Sequence, residues 1–218
     1  MILKWTGRIL IAAGILVLLF VVYQLVGTNL IARQNQRRLE AQLNGELRSL
    51  GPNPTAPPGG ASPGSSPAPS PSPSVATPAE LGSGIAIIDV PRIGLHSVVV
   101  EGVSVPDLRK GPGHVPGSAM PGGAGNVVIS GHRTTYGAPF SRLNELSGGD
   151  LIRMITTRGT FDYRVTQQRI VSPTEVSVIA PSSDSRLTLT TCHPKFSASQ
   201  RLVVIATLQS PAQEVPAA

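Results

Sequence analysis

Residues 187–194 read Leu-Thr-Leu-Thr-Thr-Cys-His-Pro, an alternating, β-branched strand pattern that ends on the chain's only cysteine, Cys192. Upstream, Val127-Val128-Ile129-Ser130-Gly131-His132-Arg133 has the same form, an apolar run ending in Gly-His. Downstream, Arg201 opens another apolar run, Arg201–Leu208, nine residues past the cysteine. Further short runs fall at Ile85–Val90, Ser97–Val103, Asn126–Ser130, Asp150–Thr156, Phe161–Val171 and Arg186–Thr191. Turn signals at Pro91–Gly94, Pro121–Gly125, Gly148-Gly149 and Arg158-Gly159 separate them. Seven or eight short strands in about 125 residues predict an all-β domain, a closed barrel or a sandwich. Helical turns are expected near Val105–Lys110 and Phe140–Leu146.

The chain ahead of this domain has a different character. Ile9 to Val26 is 18 residues without a charge, flanked by Lys4 and Arg8 and bounded by Trp5 and Tyr23. That pattern predicts an uncleaved transmembrane helix within a segment 1–28. Over 29–51, Leu39, Leu43, Leu47 and Leu50 recur at helical spacing and predict a juxtamembrane helix. Proline recurs throughout Pro52 to Glu80, with Ser, Ala and Gly filling most of the rest, no aromatic residue and no charge before Glu80. Residues 52–83 are therefore expected to be an extended, disordered linker that holds a domain over 84–210 away from a bilayer. Residues 211–218 are expected to be a disordered tail. Arg33, Arg37 and Arg38 outnumber Lys4 and Arg8 across the apolar stretch, which by positive-inside counting favours an inside C-terminus. The linker nonetheless points to a domain outside the cell, as does the motif around Cys192.

Composition narrows the function classes. Lys and Arg total 18 against 12 Asp and Glu, a net charge of +6, without a basic run or aromatic-interleaved patch. A nucleic-acid partner is not expected. One cysteine makes no disulfide, and with four histidines it makes no zinc spacing, so neither metal nor cofactor is expected. An unpaired thiol in an exported protein is a liability unless it is used.

Each of three polar groups, Cys192, His132 and Arg201, sits at the end of an apolar run, where a rigid scaffold can present a side chain to solvent. Singly, each residue type in such a position is more often structural than catalytic. Together they fit acyl transfer. A thiol needs a base, or a cationic neighbour, to become a thiolate at neutral pH. The same imidazole can protonate a leaving amine. A guanidinium can stabilise the charge that builds on a carbonyl oxygen.

These segments resemble the sortase signature, a T-L-x-T-C strand with a trailing arginine and an upstream Gly-His. Gly111-Pro112-Gly113-His114, Gly131-His132-Arg133-Thr134-Thr135-Tyr136-Gly137-Ala138-Pro139-Phe140 and Cys192-His193-Pro194-Lys195-Phe196 are similar to class E sortases of high-GC Gram-positive bacteria. The resemblance covers about residues 85–208. It implies a closed eight-stranded β-barrel with the site at one end. It implies cleavage of a C-terminal sorting signal between Thr and Gly, of the L-A-x-T-G or L-P-x-T-G type. The threonyl carbonyl would then pass to an amine of a cell-wall peptidoglycan precursor. The implied partners are sorting-signal-bearing surface proteins, that precursor and the cell membrane. By the same resemblance Cys192 is the nucleophile, His132 the acid/base and Arg201 the oxyanion stabiliser, with Tyr136 and Thr191 contacting substrate.

Of the remaining histidines, His193 neighbours the nucleophile, but adjacent residues of an extended segment point to opposite faces. His132 is therefore the expected base. His114 is expected to be a structural loop residue and His96 a surface one. Two other readings fit less well. An L,D-transpeptidase-type enzyme calls for a Ser-x-Gly-Cys segment, whereas Cys192 follows Thr191. A non-catalytic exported β-domain predicts a buried, inert thiol.

Overall fold

In the computed structural model, which describes residues 2–22, 28–49 and 80–209, the apolar runs become eight strands that close on themselves. They are β1 (Gly84–Val90), β2 (Leu95–Glu101), β3 (Gly113–His114), β4 (Asn126–Ser130), β5 (Leu151–Thr156), β6 (Gly159–Val171), β7 (Arg186–His193) and β8 (Gln200–Leu208). Around the barrel the order is β1-β2-β3-β4-β7-β8-β6-β5. The β2–β3 and β4–β7 pairs are parallel, and the others are antiparallel. The expected closed eight-stranded barrel is the fold observed.

Alternation in the strands fills the interior. Ile88 and Val90, Val127 and Ile129, Leu187 and Leu189, and Leu202 and Val204 point inward and join Ile152, Met154, Phe140 and Tyr163 in one core. Burial of such a side chain contributes about 1.5–3 kcal/mol.

Seven strands lie within a few residues of their expected positions. The eighth, β3, has only two residues, one of them glycine, and carries no periodic pattern. The run expected to reach Val103 stops at Glu101, because Gly102 turns the chain at φ 106°. Ser104 caps the short helix α3 (Val105–Leu108) in a capping box with Asp107. Near Phe140–Leu146 the helical turn is 3₁₀, over Leu143–Glu145.

Two helices precede the barrel, α1 (Ile2–Val22) and α2 (Thr28–Ser49). Among the described residues no helix is long and apolar enough to cross a membrane. Lys4 and Arg8 occupy the first two turns of α1. The charge-free part, Ile9 to Val22, spans about 21 Å at about 1.5 Å per residue, short of a hydrocarbon core about 30 Å thick. The expected transmembrane helix is thus not carried by the described residues, and positions 23–26 of Ile9–Val26 lie outside them. The expected tail over 211–218 also lies outside them, as does the linker through position 79.

The leucine stripe of α2 packs on the barrel. Leu43 is buried with Ile87 and Val98, and Leu39, Leu47 and Ile155 pack around them. Gln36 joins helix and sheet through four hydrogen bonds. Its Nε2 donates to Val98 O (3.0 Å) and Lys110 O (2.8 Å), and its Oε1 accepts from Val98 N (2.7 Å) and Ser97 Oγ (3.0 Å). Gly111 leaves the space Gln36 occupies, since a Cβ there would collide with its amide.

Candidate active site

β4 and β7 run parallel, with Ser130 beside Thr190. Their hydroxyls bond at 2.8 Å, and the Gly131 amide donates to Thr190 O at 3.1 Å. One register step further, Thr191 Oγ1 donates to Gly131 O at 2.7 Å. His132 and Cys192 are the next residues of the two segments. On the other flank of β7, Cys192 is the direct cross-strand partner of Arg201 on β8. Val127 and Ile129, Leu187 and Leu189, and Leu202 and Val204 fill the core. By alternation His132, Cys192 and Arg201 therefore share the outer face at one end of the barrel. Cys192 on β7 and Arg201 on β8 are thus direct partners, and His132 lies just past the end of β4, the other neighbour of β7.

His132 is half-buried, and its Nε2 is buried without a hydrogen-bond partner among the described residues. Burial holds its pKa below the ordinary imidazole value of about 6.5, and the charge of Arg109 lowers it further. Both effects favour the neutral ring, the form able to take a proton. It lies 5.1 Å, centroid to centroid, from Tyr136, and the Arg109 guanidinium sits 5.3 Å from the Tyr136 ring centroid. Gly131 lets the chain pass over the buried Phe140, whose ring would be 2.6 Å from any Cβ there. The Phe140 amide in turn donates to His132 O at 3.1 Å.

Arg133, 5 % exposed, was not among the expected site residues. Its guanidinium donates to Cys192 O (3.2 Å) and Asn144 Oδ1 (2.9 Å) and meets His193 Nδ1 at 3.2 Å. Its pKa is pulled down by burial and supported by the neighbouring Cys192 sulfur. The guanidinium fastens the end of β7 to the loop after β4. His193 is thereby engaged away from the outer face. Arg201 in this conformation donates to Ala198 O (2.9 Å) and Gln200 O (3.0 Å), carbonyls of its own turn.

A family model described as Sortase domain matches residues 88–209. The chain belongs to the sortase family. Among curated relatives, "Sortase D" of Bacillus subtilis is 37 % identical over 53 % of this chain and 57 % of that protein. "Sortase SrtE1" of Streptomyces coelicolor is 32 % identical over 91 % of this chain and 54 % of that protein. The chain thus spans about half the length of these relatives. Of solved structures, sortase E from Streptomyces avermitilis is 35 % identical with a TM-score of 0.55, covering 60 % of this chain and 91 % of that one. A Clostridium perfringens sortase D5 transpeptidase is 25 % identical with a TM-score of 0.61, over 83 % of this chain and 99 % of that one.

Within this sortase barrel, Thr191 is 3 % exposed, and its hydroxyl is committed to Gly131 O. It ties β7 to the histidine loop. Tyr136 flanks His132 on the loop after β4. His114 is buried, with Nδ1 2.7 Å from Glu101 Oε2 and Nε2 2.9 Å from Ala119 O. His96 is exposed, 3.2 Å from Asp89 and 3.5 Å from Glu40 of α2. Arg133 carried one sequence signal, its place next to His132. Arg109 carried none, because it arrives from the distant end of α3.

Proposed function

We propose that this sortase is a cysteine transpeptidase that joins surface proteins to the cell wall. The placing of Cys192 between His132 and Arg201 on one outer face carries this reading. The Cys192 thiol yields its proton to His132 Nε2, and its Sγ attacks the Thr carbonyl of an L-A-x-T-G or L-P-x-T-G sorting signal. The Thr–Gly C–N bond breaks, and the proton on His132 goes to the departing glycine amine. An amine of a peptidoglycan precursor then attacks the thioester carbonyl and yields a proton to His132. The C–S bond breaks, and the released Cys192 thiolate takes that proton back. Arg201, swung off its turn carbonyls, faces the developing oxyanion. Tyr136 lines the approach beside His132, and Thr191 acts through Gly131 to set the spacing of nucleophile and base.

The proposed setting is the outer face of a cell membrane. Every large apolar side chain of α1 from Ile9 to Phe20 is exposed, more than half its surface in each case. A lipid surface satisfies such side chains, and the charge-free sequence runs on to Val26.

The full chain in detergent, mixed with L-A-x-T-G and L-P-x-T-G peptides and an amine acceptor, should release the glycine-terminated fragment and form the amide product. His132→Ala and Arg201→Ala should each lower that rate by about 10²-fold or more. A methanethiosulfonate reagent should label Cys192 and stop the reaction. Peptides left intact by enzyme whose Cys192 still labels fully would overturn the transpeptidase reading.

A further inference from the structure

The loop between β4 and β5 carries an unusual backbone. Tyr136, Gly137 and Ala138 have φ of 51°, 80° and 45°, three consecutive left-handed residues of which only the middle one is glycine. Side-chain-bearing residues persist in that region only where their surroundings hold them. The loop's own hydrogen bonds fix both ends: the Ala138 amide donates to Thr135 O at 2.8 Å and the Phe140 amide to His132 O at 3.1 Å. The amide at the apex, that of Gly137, donates to Asn29 Oδ1 of α2 at 2.9 Å, across 108 residues of sequence. One turn along, buried Ala32 lies against the same glycine, 3.6 Å from where a Cβ would stand. A further turn on, Gln36 fastens the helix to β2 and to Lys110.

We propose that α2 is part of the catalytic unit: through Asn29, with Gln36 as its anchor, it holds the Tyr136–Ala138 loop in the strained form that keeps Tyr136 against His132. Asn29 is then a positioning residue that touches no substrate and acts through the loop. The proposal rests on the Cys192–His132 reading of the site, but not on the identity of the substrate. The charged and titratable groups around the imidazole are Tyr136 and Arg133 on its own loop, Arg109 after α3, Cys192 on β7 and Arg201 on β8. Releasing the loop lets water reach His132 and draws Tyr136 and Arg109 away from it, and both changes raise the imidazole's pKa.

The test uses the full chain in detergent and needs no sorting signal. In Asn29→Ala the Gly137 amide should exchange with deuterium about 10-fold faster or more, while the exchange of β4 and β7 is unchanged. The rate of Cys192 alkylation by iodoacetamide, followed against pH, should show its imidazole limb moved to higher pH. Asn29→Asp keeps the accepting oxygen and should restore slow exchange at Gly137, and Gln36→Ala should reproduce the Asn29→Ala exchange. Unchanged exchange and an unchanged pH profile in Asn29→Ala would overturn the proposal. So would a lower melting temperature without a moved profile, the mark of a helix that stabilises the domain only. A wild-type chain that alkylates normally but cleaves no peptide would count against the transpeptidase function, leaving these exchange and alkylation outcomes as the measure of the helix's role.

Discussion

A proton that His132 declines in the folded state is one the unfolded chain accepts. Its folded pKa lies below the ordinary value because burial and Arg109 disfavour the cation. Between that folded value and about 6.5, the unfolded state binds more protons, so stability falls as pH falls through the window. Unfolding free energies from urea titrations over a pH series should drop on the acid side of that window's upper edge in the wild type, and the drop should be smaller in His132→Gln. Parallel curves for the two proteins would remove His132 as the source. Cys192, His132 and Arg201, proposed as nucleophile, base and oxyanion stabiliser, were legible as candidates because each stands at one end of an apolar run. Arg133 was less so. A buried arginine reads as a surface charge until the fold shows Cys192 O and Asn144 converging on it.

Strands β4 and β7 can deliver His132 and Cys192 to the same spot only because Gly131 lets the chain leaving β4 ride over Phe140. Gly131→Ala forces a methyl into the ring of a fully buried side chain. Overpacking of this kind costs about 1–3 kcal/mol. The variant should melt several degrees lower and lose more acyl-transfer rate than Cys192 accessibility to thiol reagents; a melting temperature and rate equal to wild type would show that Phe140 yields freely. Seven of the eight strands were legible as β-branched runs between turn signals. β3 was not, since two residues have no period. The apolar stripe of α2 was legible as a stripe, but a helical periodicity does not name what covers it. The answer lay in Gly111 and Gln36, whose fit depends on strands far along the chain from the helix.

The docking of α2 changes what the proline-rich stretch connects. Ser49 at the end of α2 and Gly84 at the start of β1 both belong to the barrel's body, and Gly84 lies against Leu39. Residues 50–79, which lie outside the described residues, join two positions that both pack on the barrel, and we propose that they form an excursion from one unit, where a tether between bilayer and barrel was expected. A specific protease site placed within 63–69 should be cut while both fragments stay together in gel filtration in detergent, held by Leu43 and Gln36. Separation of the fragments would restore the tether. The parallel pairing of β4 with β7 also has a kinetic side. Ser130 takes its register from Thr190, and Ile87 of β1 closes the barrel on Ile155 of β5, partners far apart along the chain in both cases. Folds dominated by such distant pairings form in milliseconds to seconds rather than microseconds, because loop closure precedes the reward. The segments that carry the imidazole and the thiol come together only when β4 pairs with β7, across 60 residues of chain. Until β4 pairs with β7 the chain's one sulfur has no imidazole brought near it, so the site is a product of the whole fold rather than of any local segment.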